Sequence, residues 1–213
     1  MPNDATKKPF VVAVAGGSGS GKTTVARAIG AALPAGSSVT LEQDHYYRER
    51  TDLPLESREN VNYDHPDAIE FALLQHHIDE LVAGRAIDRP IYSFSTHARQ
   101  VQSVHLEPAP VVIVEGILAL ALPEVRERFD LKIFVDTDAD IRLMRRIRRD
   151  LEDRGRSFAQ VRAQYYETVR PMHLAFVEPS KRFADVIMPE GGTNRVALEV
   201  ILSRLREHIV SVR

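Results

Sequence analysis

Phe10-Val11-Val12-Ala13-Val14-Ala15-Gly16-Gly17-Ser18-Gly19-Ser20-Gly21-Lys22-Thr23-Thr24-Val25-Ala26-Arg27-Ala28-Ile29 holds three elements in twenty residues. A β-branched apolar run enters a glycine-rich turn, and the turn opens onto a helical pattern. Gly16 to Thr23 fits the spacing G-x-x-x-x-G-K-[ST]. In that pattern glycines let successive backbone N–H groups wrap a polyphosphate, Lys22 reaches the terminal phosphates and the Thr23 hydroxyl faces Mg²⁺. The start of the helix adds its own positive field. A nucleoside triphosphate with Mg²⁺ is therefore expected on Gly16, Gly17, Ser18, Gly19, Ser20, Gly21, Lys22, Thr23 and Thr24.

Outward from this loop, four more apolar runs follow at Ser38–Glu42, 110–114, 131–135 and 184–188. Helical periodicity fills the segments between them, at 22–33, 68–83, 140–152, 158–176 and 195–210. The alternation predicts an α/β fold of the P-loop nucleotide-binding kind, a parallel five-stranded sheet with helices on both faces. Residues 86–107 break the order with two alternating stretches and read as a β-hairpin insertion that covers part of the site. The expectation is one domain over residues 1–213.

With 44% hydrophobic residues in 213, the chain can bury a sizeable core. A net charge of -2 gives no global attraction to nucleic acid or an anionic membrane, so neither is expected as a partner. There is no cysteine, which excludes disulfides and thiolate metal sites. Residues 1–9 lack an apolar signal core, and the longest nearly apolar stretch, 109–122, is too short to span a bilayer. A soluble cytoplasmic protein is the expectation.

Ligands of such sheets gather beyond the carboxyl ends of the strands. Glu115, ending Val111-Val112-Ile113-Val114-Glu115, is the candidate to complete the Mg²⁺ shell with Thr23. Asp44, after the second strand, is the candidate base that orients a hydroxyl and accepts its proton. Seven arginines lie between Arg142 and Arg156. Phosphoryl transfer spreads charge over the γ-phosphate oxygens, and arginines on a closing lid over residues 142–165 would meet it. The acids among them also fit a solvated, salt-bridged helix. Tyr92 and His97, on the insertion, are candidates for the wall of a substrate site. His76 and His77 are helix neighbours that point apart, and read as surface or core-edge residues rather than a metal pair.

Neither N-K-x-D nor D-x-x-G is present as a GTPase switch requires, and no basic face with stacking aromatics supports a nucleic-acid motor. The motifs favour a small-molecule kinase and leave its acceptor unnamed.

Gly16 to Thr24, Gln43-Asp44-His45-Tyr46-Tyr47, Asn62-Tyr63-Asp64-His65-Pro66-Asp67-Ala68, Pro90-Ile91-Tyr92-Ser93-Phe94, Val114-Glu115-Gly116-Ile117-Leu118, Phe134-Val135-Asp136-Thr137, Arg145-Arg146-Ile147-Arg148-Arg149-Asp150, Arg154-Gly155-Arg156 and Arg170-Pro171-Met172 together resemble the uridine kinase (uridine-cytidine kinase) family, from about Pro9 onward. The resemblance implies transfer of the γ-phosphate of ATP (or GTP), with Mg²⁺, to the 5′-hydroxyl of uridine or cytidine. It implies that Asp44 faces that hydroxyl and that Asp64, Arg146 and Gln164 hold the sugar. Tyr92, His97 and Arg156 would meet the pyrimidine edge, beside Phe94, Tyr63 and Tyr47. Arg149 and Arg154 would cover the triphosphate, and the assembly would be a homotetramer. Glu190 stands where relatives commonly carry arginine, so no adenine-side contact is carried over to it.

Overall fold

The computed structural model describes residues 8–190, 192 and 194–212. Five parallel strands form one sheet in the order β2-β5-β1-β6-β7: β1 (Phe10–Ala15), β2 (Ser38–Glu42), β5 (Val111–Gly116), β6 (Leu131–Asp136) and β7 (Val186–Pro189). The hairpin β3 (Ile87–Ser93) and β4 (Ala98–Leu106) is a separate antiparallel pair. β5 runs through Glu115 to Gly116 and β6 ends at Asp136, so both acids lie within the carboxyl ends of their strands instead of following them.

Central strands are buried on both faces, as a parallel sheet covered by helices requires. Every residue of β1 and β5 is buried, whereas edge strand β2 alternates. The period of two divides the core. Val11, Ala13, Val112 and Val114 pack toward Leu74, Ile78 and Leu81 of α3 (Phe71–Val82). Val12, Val14, Ile113 and Ile133 face the other way, onto Val25 and Ile29 of α1 (Lys22–Ala32) and Leu202 and Leu205 of the C-terminal helix. His77 of α3 lies at the edge of the first core, its Nδ1 at 2.9 Å from the buried Tyr46 hydroxyl.

Short helices α2 (Leu55–Glu59) and α4 (Pro123–Arg126) carry no long apolar period, and periodicity alone did not reveal them. α5 (Ala139–Glu152) holds the first five of the clustered arginines and ends three residues before Gly155, which is left-handed at φ 63°. The helix expected over 158–176 is instead a composite. α6 (Phe158–Gln164), α7 (Arg170–Met172) and α8 (Glu178–Ser180) are joined by π turns at Tyr165–Val169 and His173–Val177. Pro171 and Pro179 explain this: a proline removes an i→i−4 hydrogen bond and crowds the preceding turn, and a wider turn relieves both. α9 (Arg195–Val212) closes the second face. No helix among the described residues is long and apolar enough to cross a membrane.

Candidate active site

β1 delivers Gly16 to Gly21 at the carboxyl end of the sheet centre. Gly19 and Gly21 take φ of 81° and 92°, which costs little only for glycine, and Ser20 N–H closes a turn on Gly17 O at 3.0 Å. Gly21 caps α1 without a side-chain hydrogen bond, and the first turn holds no acid. The positive end of α1 is thereby left for an anion.

Thr23 and Glu115 meet here because the parallel register sets Ala15 beside Gly116 and Val14 beside Glu115. Thr23 Oγ1 donates to Glu115 Oε1 at 3.0 Å. Glu115 Oε2 is buried with no hydrogen-bond partner among the described residues. Burial pushes the Glu115 carboxyl up, against the pull of Lys22. A hydroxyl and a buried carboxylate with a spare oxygen, beside a triphosphate-binding loop, fit the hard oxygen donors that Mg²⁺ takes. Asp136, the third strand-end acid, is instead tied to Lys181 at 2.5 Å.

A 3-10 turn at Gln43–Tyr46 follows β2 and presents Asp44, whose Oδ1 lies 3.5 Å from the Tyr47 hydroxyl. Gln43 is buried under the turn after β5, where its Oε1 accepts from Leu118 N–H at 2.9 Å. Beside Asp44, His45 Nδ1 accepts the backbone N–H of Tyr92 at 3.1 Å, and its Nε2 faces Glu42 at 3.4 Å. This bond joins the Asp44 turn to the hairpin. A chain of rings lines that junction: Tyr47 lies 5.0 Å from both Tyr63 and Tyr92, and Tyr63 stacks on His97 at 5.2 Å. His97 holds a left-handed backbone at φ 47°, uncommon for a residue with a side chain.

The arginines close the opposite wall. Arg146 is buried and donates to Ser18 Oγ of the phosphate loop at 3.0 Å and to Gln164 Oε1 at 2.8 Å. Arg156 also donates to Gln164 Oε1 at 2.8 Å, and Arg154 lies over the Phe94 ring at 4.8 Å. Burial raises the Asp64 carboxyl, with Arg146 pulling it back. Arg142 and His173 brace the loop from outside, Arg142 Nη2 lying 3.0 Å from His173 Nε2.

These groups converge on one inner cavity of about 70 Å³, lined by Ser18, Lys22, Asp44, Tyr47, Tyr63, Asp64, Tyr92, Phe94, His97, Arg146, Arg149, Arg154, Arg156 and Gln164, together with Ile117. It adjoins an outer cavity of about 840 Å³ between the hairpin end and α6. Every nucleoside candidate named from the sequence thus lines the same space as Lys22 and Asp44. Thr23 and Glu115 lie behind it. Asp150, His45 and Gln43 carry no role in the sequence motifs that contain them, yet the fold gives each a buried or bridging contact; His45 and Gln43 are the long-range cases. Their roles depend on contacts 47 and 75 residues away, and no local spacing announces them.

A model of the Phosphoribulokinase / Uridine kinase family matches residues 11–197. A uridine kinase from Deinococcus deserti is 50% identical over 202 residues, covering 95% of this chain and 98% of that protein. One from Bacillus licheniformis is 50% identical over 200 residues, 94% of this chain and 95% of the relative. Among solved structures, phosphoribulokinase from Rhodobacter spheroides matches with a TM-score of 0.64 at 13% identity, over 87% of this chain and 71% of that one, a likeness of fold.

Proposed function

The chain belongs to the phosphoribulokinase / uridine kinase family, and from that premise we propose that its site is a uridine kinase centre, transferring the γ-phosphate of ATP to the 5′-hydroxyl of uridine and of cytidine in pyrimidine salvage. One observation carries the reading: a single cavity is lined by Lys22 of the phosphate loop, by Asp44 and by the Tyr47, Tyr92 and His97 wall.

In this reading the loop from Gly16 to Thr24 wraps the triphosphate with its backbone N–H groups, and Lys22 meets the terminal phosphates. Thr23 and Glu115 would hold Mg²⁺, which when bound would supply positive charge against the phosphate oxygens. Asp64, Arg146 and Gln164 take the sugar hydroxyls. Tyr92, His97 and Arg156 take the pyrimidine edge between Phe94, Tyr63 and Tyr47. Asp44 orients the 5′-hydroxyl and receives its proton as that oxygen bonds to the γ-phosphorus and the bond to the bridging β,γ-oxygen breaks, releasing the nucleoside diphosphate. Arg149 and Arg154 offset charge on the transferring group.

The hairpin over 86–107 serves as the acceptor wall, and 142–165 as a lid that excludes water within one domain. We further propose a homotetramer, as the family resemblance implies, in the cytoplasm; the net charge of -2 supports the reading that neither nucleic acid nor a membrane is a partner. Light scattering at four times the 23.9 kDa chain mass is the expected result. Coupled turnover with uridine, cytidine, pantothenate and ribulose 5-phosphate, each with ATP and with GTP, tests the function. Turnover of the two nucleosides is expected, and activity on only the other two acceptors would sink the reading.

A further inference from the structure

Asp150, on the last turn of α5, is wholly buried, yet four guanidinium groups converge on it. Its two oxygens divide them. Oδ1 receives Arg149, through Nε at 3.1 Å and Nη2 at 3.0 Å, and faces Arg154 Nη1 at 3.5 Å. Oδ2 faces Arg156 Nη1 at 3.3 Å and Arg146 Nε at 3.6 Å. The first pair are the arginines read above as covering the triphosphate. The second pair both donate to Gln164 Oε1 and border the nucleoside space.

We propose that Asp150 is a positioning residue that couples the donor and acceptor sites energetically, so that each substrate tightens binding of the other. This coupling presupposes the donor and acceptor sites proposed above. One negative charge serves four positive ones, so the arginines compete for it. When a triphosphate draws Arg149 and Arg154 toward its own oxygens, the carboxylate is left to Arg156 and Arg146. Those two then hold Gln164 more firmly, and the sugar subsite is ordered before the nucleoside arrives. Coupling of this kind is reciprocal by thermodynamic necessity.

Calorimetric titration of uridine into the protein alone, and into protein saturated with Mg²⁺ and a non-hydrolysable ATP analogue, reads the coupling as a ratio of dissociation constants. Uridine is expected to bind at least about fivefold tighter with the analogue, and the analogue to gain the same factor from uridine. Asp150→Asn keeps the shape, removes the charge and should bring the ratio toward one, with a melting scan confirming that the variant folds. Arg149→Gln, on the partly exposed side of the cluster, removes one claimant on Oδ1 and should lower the ratio too, which decides the matter if Asp150→Asn does not fold. A wild-type ratio of one overturns the coupling, as does a full ratio retained in the folded Asp150→Asn or, failing that, in Arg149→Gln. Failure of the wild type to bind uridine or the analogue at all would instead overturn the functional reading.

Discussion

Asp44 and Gly116 carry different burdens at the end of the same sheet. As the proposed base, Asp44 acts on the barrier more than on binding, so Asp44→Asn should lower kcat by about 10² to 10⁴ while uridine affinity in a binding assay survives. An unchanged kcat would remove Asp44 from that role. At Gly116 a Cβ would collide with the side chain of Gln43, which is fixed by its hydrogen bond to Leu118 N–H. Overpacking of this sort costs about 1–3 kcal/mol, so Gly116→Ala should melt several degrees below the wild type. Asp150 is the corresponding case for charge. Burial alone would raise its carboxyl, but Arg146, Arg149 and Arg154 outweigh burial and hold it below its ordinary value.

At the scale of elements, the hairpin is anchored by a side chain that lies outside it. His45 accepts from Tyr92 N–H, so its Nδ1 is unprotonated and the ring proton sits on Nε2 toward Glu42. His45→Phe deletes the acceptor and should raise the uridine KM about threefold to tenfold with a smaller change in kcat. His45→Asn, whose side-chain oxygen can take the same N–H, should restore most of it. A second histidine, on α3, bears on stability. Burial first, then the charges of His76 and Arg99, hold His77 below its ordinary value of 6.5. The unfolded chain therefore binds the proton more readily, and stability is lost as pH falls below about 6.5 toward the lowered folded value. Melting curves between pH 7 and 5 should show this slope, and His77→Gln should flatten it relative to the wild type. The elements themselves were largely legible. Thr23 and Glu115 are 92 residues apart, yet both follow apolar runs whose parallel pairing brings their ends together. Asp150 was not legible, because it sits among acids and arginines that do form a solvated face, Glu152 and Arg148 among them, and only the folded chain buries Asp150 and Arg146. Nor were the π turns, since residues 158–176 keep a helical period on either side of Pro171.

For the whole molecule, the site is completed by segments far apart in sequence: the phosphate loop, the turn after β2, the hairpin, α5 and α6. Ligands that bridge them should stabilise the entire fold. Uridine or a Mg²⁺-ATP analogue at 100 times its dissociation constant contributes about 2.7 kcal/mol, which for a chain of this size raises the melting temperature by about 5–10 °C. Thermal shift with each ligand alone and with both reads this directly, and no shift with either would contradict the assigned site. The triphosphate half of the site is built on strands whose every residue is buried, and its geometry is set by the backbone ladder that pairs Val14 with Glu115. One wall of the acceptor half, Tyr92 with Phe94 and His97, sits on a two-stranded hairpin that shares no ladder with that sheet. Changes in the hairpin can therefore accumulate without retuning the loop and its carboxylate, and a lineage built on this plan can vary that one wall while inheriting the phosphate donor site unchanged.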